Sequence, residues 1–174
     1  MLTEGCKVQV KEGGTFVPVE ELRVGDTVFD PVSQIHCRLT NILSREVQFP
    51  ANETRFEAPL FPVCLRAGSI APNAPQRDIL VSPKQALSFK TSPWSHDKWN
   101  GLGFATADQL PDKFASPIQN DLRSIRYFAL FAKRFQFANV EGIYLQIFGD
   151  DLYAEPSHPV VDDANALFAT SQAV

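Results

Sequence analysis

The side chains able to carry chemistry are few and scattered. The chain has three cysteines (Cys6, Cys37, Cys64), three histidines (His36, His96, His158) and the adjacent carboxylate pairs Glu20-Glu21, Asp150-Asp151 and Asp162-Asp163. A thiol beside an imidazole becomes a nucleophile because the base removes the proton that keeps sulfur inert. Cys6, with His36, His96 or His158 as its base, is the combination this chain offers, although a lone cysteine in a strand reads first as a small core residue. His36, Cys37, Cys64 and His158 are zinc-type ligands, but neighbours on a strand point to opposite faces, so His36 and Cys37 share one ion poorly. Adjacent carboxylates read as solvated turns or helix caps, and Asp150-Asp151 lacks the regular oxygen spacing of a calcium loop. Trp94 and Trp99, flanking Ser95–Lys98, form either a recognition loop or a cover for the end of a sheet. No catalytic, cofactor-binding or metal-ligating residue is assigned, and no cofactor is expected.

The elements that would position these groups are strands. The stretch Gly13–Val28, GGTFVPVEELRVGDTV, reads as a strand-turn-strand unit with Val17, Val19, Leu22, Val24 and Val28 on its inward face. Cys6–Val10 alternates with period two and turns back at Lys11–Gly14 into Thr15–Val19. Glu20–Leu22 is a single helical or 3₁₀ turn. Gln34–Ser44 is a long extended run with Ile35, Cys37, Leu39 and Asn41 on one face and His36, Arg38, Thr40 and Ile42 on the other. Glu46–Pro59 reads as an exposed loop or hairpin tip. Phe61–Arg66, Asp78–Val81 and Ala86–Phe89 read as short strands, and Lys90–Asn100 as a long surface loop. Thr106–Leu110 is a short helix capped by Thr106, and Pro111–Asp121 a loop holding one more turn. Tyr127–Phe131, Phe135–Val140 and Ile143–Phe148 look like consecutive antiparallel strands, and Asp162–Phe168 like a terminal helix.

Bulk properties agree with this pattern and narrow the function classes. Thirteen prolines, nine glycines and fourteen phenylalanines against one methionine suit a loop-rich β protein. A net charge of −4 leaves no footprint for nucleic acid or anionic lipid. The odd number of cysteines, with no Cys-x-x-Cys spacing, argues against a disulfide framework. Neither a signal peptide nor an apolar run long enough for a membrane span is visible, so a cytoplasmic location is expected, or a virion one, without membrane contact.

Three segments, taken in order, resemble the hedgehog/intein (Hint) domain family. They are Gly5–Val28; Arg77–Phe89, RDILVSPKQALSF; and Arg126–Phe148, where Glu141-Gly142 closes a strand pair. The resemblance implies a mostly β, Hint-like fold of antiparallel strands with long loops and one or two short helices, over residues 1–148, with 149–174 as a C-terminal tail. It also implies autoprocessing chemistry, in which a leading Cys or Ser attacks the preceding carbonyl and a His in the middle segment acts on the scissile nitrogen. Matched position by position, the leading nucleophile falls on Met1 and the His on Gln85. The two later histidines of the family fall on Ala129 and Phe135. A thioether is no acyl acceptor, and a carboxamide hydrogen-bonds without titrating. With Met1 as the start, no upstream peptide is there to be cleaved.

The expectation is a non-catalytic Hint-fold structural or interaction module, a component of a larger assembly such as a phage or phage-like particle. Its partners are other protein subunits, met near Trp94, Trp99 or the C-terminal tail, or on an apolar patch around Phe49–Phe61. The alternatives are an active autoprocessing domain using Cys6, and a peptide or small-ligand binding module.

Overall fold

The computed structural model describes residues 1–49, 61–90, 102–112, 114–117, 122–134 and 136–150. Within them the chain forms thirteen strands: β1 (Leu2–Thr3), β2 (Lys7–Lys11), β3 (Thr15–Pro18), β4 (Thr27–Asp30), β5 (Ile35–Gln48), β6 (Val63–Leu65), β7 (Ile79–Val81), β8 (Ala86–Lys90), β9 (Leu102–Thr106), β10 (Ala115–Pro117), β11 (Ser124–Ala132), β12 (Gln136–Val140) and β13 (Ile143–Gly149). Helix is limited to two 3₁₀ turns, Val19–Glu21 and Ala107–Gln109. At the second, the Gln109 side chain accepts from the Thr106 N–H at 3.0 Å, which puts Thr106 at the start of the turn, as its sequence position predicts.

The strands run in the order β10-β6-β7-β1-β11-β13-β12-β2-β3, with β5 also on β11, β4 on β5, β8 on β13 and β9 on β8. Pairings are antiparallel except β11 with β13, which meet in parallel at Phe131/Phe148 and Ala132/Gly149. The two-residue β1 lies in the middle of this order, with Leu2 opposite both Val81 of β7 and Phe128 of β11. One core gathers Val8, Val19, Val28, Leu65, Val81 and Leu145, all 0–1% exposed. A second packs Phe49, Ile125 and Tyr127 against Met1, Phe61 and Leu80.

Several features depart from the sequence reading. Val24 is 61% exposed because it sits at the tip of a turn closed by Asp26 N–H to Arg23 O (3.0 Å) and Arg23 N–H to Asp26 Oδ2 (2.8 Å). In β5 the pairing with β11 skips Thr40, passing from Asn41/Phe131 to Leu39/Ala132. That bulge reverses the inward parity. Cys37 and Leu39 are buried before it, whereas beyond it Ile42 rather than Asn41 leans on the core. Ile35, at the outer end of the β4–β5 hairpin, is 46% exposed.

Glu46–Gln48 continue β5 instead of opening a loop. Phe49 is buried, its ring 4.9 Å from that of the half-buried Phe61, which packs against the same cluster, while residues 50–60, the rest of the expected loop and apolar patch, lie outside the described residues. The Pro111–Asp121 segment contains β10, paired with β6, and β9 is a strand that the sequence reading did not separate from its surroundings. The last three strands are not a simple meander. β12 and β13 form a hairpin, but β11 is taken by β5 on one side and by β1 and β13 on the other, so it never reaches β12.

The end of β13 is tied down by Asp150, whose N–H donates to Ala132 O at 2.9 Å and whose Oδ1 accepts from Thr40 Oγ1 at 2.8 Å. Trp94, Trp99, His96, Phe135, His158, Asp162–Phe168 and the rest of the tail beyond Asp150 lie outside the described residues.

Candidate functional site

The site is built around residue 1 by the strand β1 and the turn after β7. Val81 ends β7, and Ser82-Pro83-Lys84-Gln85 turns back with Gln85 N–H donating to Ser82 O at 2.9 Å. The turn grips residue 1 from both sides. Ser82 N–H donates to Met1 O at 2.9 Å, while the nitrogen of Met1 donates to Ser82 Oγ at 2.8 Å and to Gln85 Oε1 at 2.6 Å.

Gln85 is 1% exposed, and its amide orientation is fixed because Nε2 donates to Ala86 O (3.1 Å) and Gln146 O (3.2 Å). The oxygen is therefore the atom left to face residue 1. The surroundings are dry enough that burial pulls the Met1 α-amino group from 8.0 down to about 5. The Met1 side chain packs with the second core, against the cluster of Phe49, Ile125 and Tyr127. The sequence match of residue 1 with residue 85 is thus a contact in space.

Cys6 lies five residues along from residue 1, after β1. Its thiol is 2% exposed, donates to Leu80 O at 3.5 Å and lies 3.6 Å from Thr3 Oγ1. Burial pushes its pKa up, which opposes thiolate formation. Its partners are a hydroxyl and a carbonyl. Of the three histidines only His36 is among the described residues, and it is exposed at the far end of the β4–β5 hairpin, its ring 5.4 Å from that of Phe29. Cys37, on the opposite face of β5 from His36, is pushed up to about 11 by burial and by Asp30, and Cys64 is raised by burial as well. Among the described residues no three His, Cys, Asp or Glu side chains converge as a metal site would require.

A clasp between Arg77 and Glu141 holds this site together. Nε and Nη2 of Arg77 reach Glu141 Oε1 at 2.9 and 2.8 Å, and Nη2 also donates to Gly5 O. The same carboxylate oxygen accepts from Lys7 N–H at 3.2 Å. Glu141 is 3% exposed and sits at φ +52°, with its backbone bonded to Lys7 O and Gln76 N–H. The clasp joins the three segments that carried the family resemblance. Glu20 contributes as well, accepting from Gly5 N–H at 2.9 Å, so it is a positioning group and not simply a solvated turn residue. Ser82 was visible only as the residue before a proline that stops a strand. Ala129, at one of the family's histidine positions, is a buried methyl on β11.

The fold and this site define a Hint-type domain. The Hint domain profile matches residues 1–152, and the chain belongs to that family. Among solved structures, the chain is similar to the MchDnaB-1 intein, at 10% identity and a TM-score of 0.50 over 84% of this chain and 99% of that one. The N145AA form of the same intein gives 10% identity and a TM-score of 0.48, over 86% and 100%. A search of curated proteins returned no match.

Proposed function

We propose that this chain is a Hint scaffold without autoprocessing chemistry, serving as a structural or interaction module within a larger protein assembly such as a phage or phage-like particle. The observation that carries the loss of chemistry is the contact of Gln85 Oε1 with the nitrogen of residue 1. A departing nitrogen must gain a proton. At that point Gln85 presents a lone pair, and its N–H groups are bonded to Ala86 O and Gln146 O. Residue 1 supplies a thioether, which has no proton to lose and forms no stable acyl derivative. Cys6 is no substitute, since its thiol is buried, raised in pKa and bonded to Leu80 O.

The assembly reading rests on fold-level analogy and locates the partner surface at Trp94–Trp99 or in the tail beyond Asp150. Among the described residues the large exposed apolar side chains are Val24, Ile35 and Leu43, spread over a turn and the two halves of β5. No helix in the described residues is long and apolar enough to cross a membrane.

The test is intact mass of the chain carrying a short upstream peptide, before and after thiol or hydroxylamine, with Cys6→Ala alongside. The full-length mass is expected in every sample. A shortened species that vanishes in Cys6→Ala would place an active nucleophile at Cys6 and overturn the reading.

A further inference from the structure

Strand β5 carries a free edge from Thr40 to Gln48. We propose that this edge pairs antiparallel with the same edge of a second copy of the chain, on a two-fold axis through Ser44. The inference rests neither on the chemistry lost at residue 1 nor on the assembly reading.

Backbone directions locate the edge. Phe49 N–H donates to Arg123 O, so residues 41, 43, 45 and 47 turn their backbone groups to β11, while Arg126 O turns the other way and accepts from Glu4 N–H. Ile42, Ser44, Glu46 and Gln48 therefore point outward. The bulge at Thr40 gives Leu39 and Ile42 the same inward parity, so Leu39 belongs to this outer row as well. As far as Leu39 the row is occupied. β4 pairs with Ile35–Arg38, and Leu39 bonds to Asp26 O at 2.8 Å and to Gly25 N–H at 2.9 Å. From Thr40 onward no strand among the described residues covers it.

This edge is unsatisfied and weakly defended. Asn41 Oδ1 accepts from Ile42 N–H at 2.9 Å, standing where the carbonyl of a neighbouring strand would. Leu43 is 54% exposed, and Thr40–Gln48 contains neither proline nor lysine, the residues that commonly bar pairing at an edge.

Charge and length set the register. Opposite residues of an antiparallel pair both point outward or both inward, so the two-fold axis passes through a single residue. At Arg45 or Glu46 it would set like charges face to face, which destabilises the pair. At Leu43 it would drive Val47 and Gln48 of the second copy into Gly25, Asp26 and β4. Axes nearer either end overlap less. At Ser44 the whole free edge matches end to end, Thr40 with Gln48. Ile42 and Glu46 then exchange backbone bonds with the second copy's Glu46 and Ile42. Leu43 lies under the aliphatic stem of the second copy's Arg45, diagonal to its Leu43 and Val47. One patch meets itself, as a two-fold dimer requires.

The experiment is sedimentation velocity of the 174-residue chain over a concentration series to about 1 mM, with amide hydrogen exchange alongside. The chain should dimerise reversibly, and exchange at Ser44, Glu46 and Gln48 should slow as concentration rises. Ser44→Lys, which sets two lysines against each other on the axis, should raise the dissociation constant about tenfold or more. Ser44→Cys should form a disulfide-linked dimer with oxidised glutathione, since Cα atoms opposed in this way lie about 5.5 Å apart. Glu46→Cys and the unaltered chain should not. A chain that stays monomeric throughout overturns the proposal, as does protection at Ser44, Glu46 and Gln48 that is independent of concentration, the result of an edge covered by the chain's own tail. A dimer that Ser44→Lys leaves unchanged overturns it as well. The first two readouts use the unaltered chain and stand whether or not a variant folds.

Discussion

Replacing Arg77 with leucine is expected to lower the unfolding free energy by about 3 kcal/mol, the low end of what removal of one partner of a buried ion pair costs. The low end applies because the Arg77 side chain is 49% exposed, whereas that of Glu141 is 4% exposed. The loss comes mainly from stranding a buried carboxylate that keeps the Lys7 N–H as its partner, and from freeing Gly5 O. Glu141→Gln should cost less, about 1–2 kcal/mol, since the amide oxygen still accepts from Lys7 N–H and no charge is left buried. Urea unfolding midpoints of the two variants give the comparison. Equal, small losses in both would show that the clasp is a solvent-screened pair without structural weight.

The second large effect is on pH dependence. In a chain with a free amine at Met1, the folded pKa is about 5 and the ordinary value is 8.0. Above 8 the amine is neutral in both states and makes no difference. Between 8 and 5 the unfolded chain takes up a proton that the folded chain does not, so stability falls as pH falls. Below 5 both states are protonated and the loss levels off. Three pKa units correspond to about 4 kcal/mol at most. Unfolding curves from pH 8.5 to 4.5 should therefore show a decline that is absent from a chain extended upstream, where an amide replaces the amine. Identical slopes for the two chains would mean that residue 1 is not buried between Ser82 and Gln85.

How much of this was legible in the sequence follows from which interactions are local. The hairpin of β2 and β3, the 3₁₀ turn after Pro18 and the Thr106 turn are set by residues within a few positions of each other, and the sequence pattern predicted all three. The contact between residues 1 and 85 was legible only through the order of the family-like segments, because β1 is two residues long and carries no periodicity of its own. The bulge at Thr40 has no local signature, so a strict alternation carried Asn41 inward when the structure turns Ile42 there instead. Val24 looked like core from its apolar character, yet the Asp26 side chain closes a turn that pushes it out. Glu141 was the least readable. A charged residue at positive φ is uncommon, and its partners, Arg77 and Lys7, are 64 and 134 positions away.

The central claim is that the scaffold around residue 1 is intact and that only the reacting groups have been replaced. Its most direct test is the intact mass of chains bearing an upstream peptide, incubated with thiol, in four forms: unaltered, Met1→Cys, Gln85→His, and both substitutions together. The double variant should release the upstream peptide at residue 1, because it places a thiol and an imidazole where Met1 and Gln85 now touch. The unaltered chain and Gln85→His should stay full length, and Met1→Cys alone should lag far behind the double variant. Cleavage of the unaltered chain at residue 1 would contradict the loss of chemistry, and an inert double variant would contradict the retained scaffold.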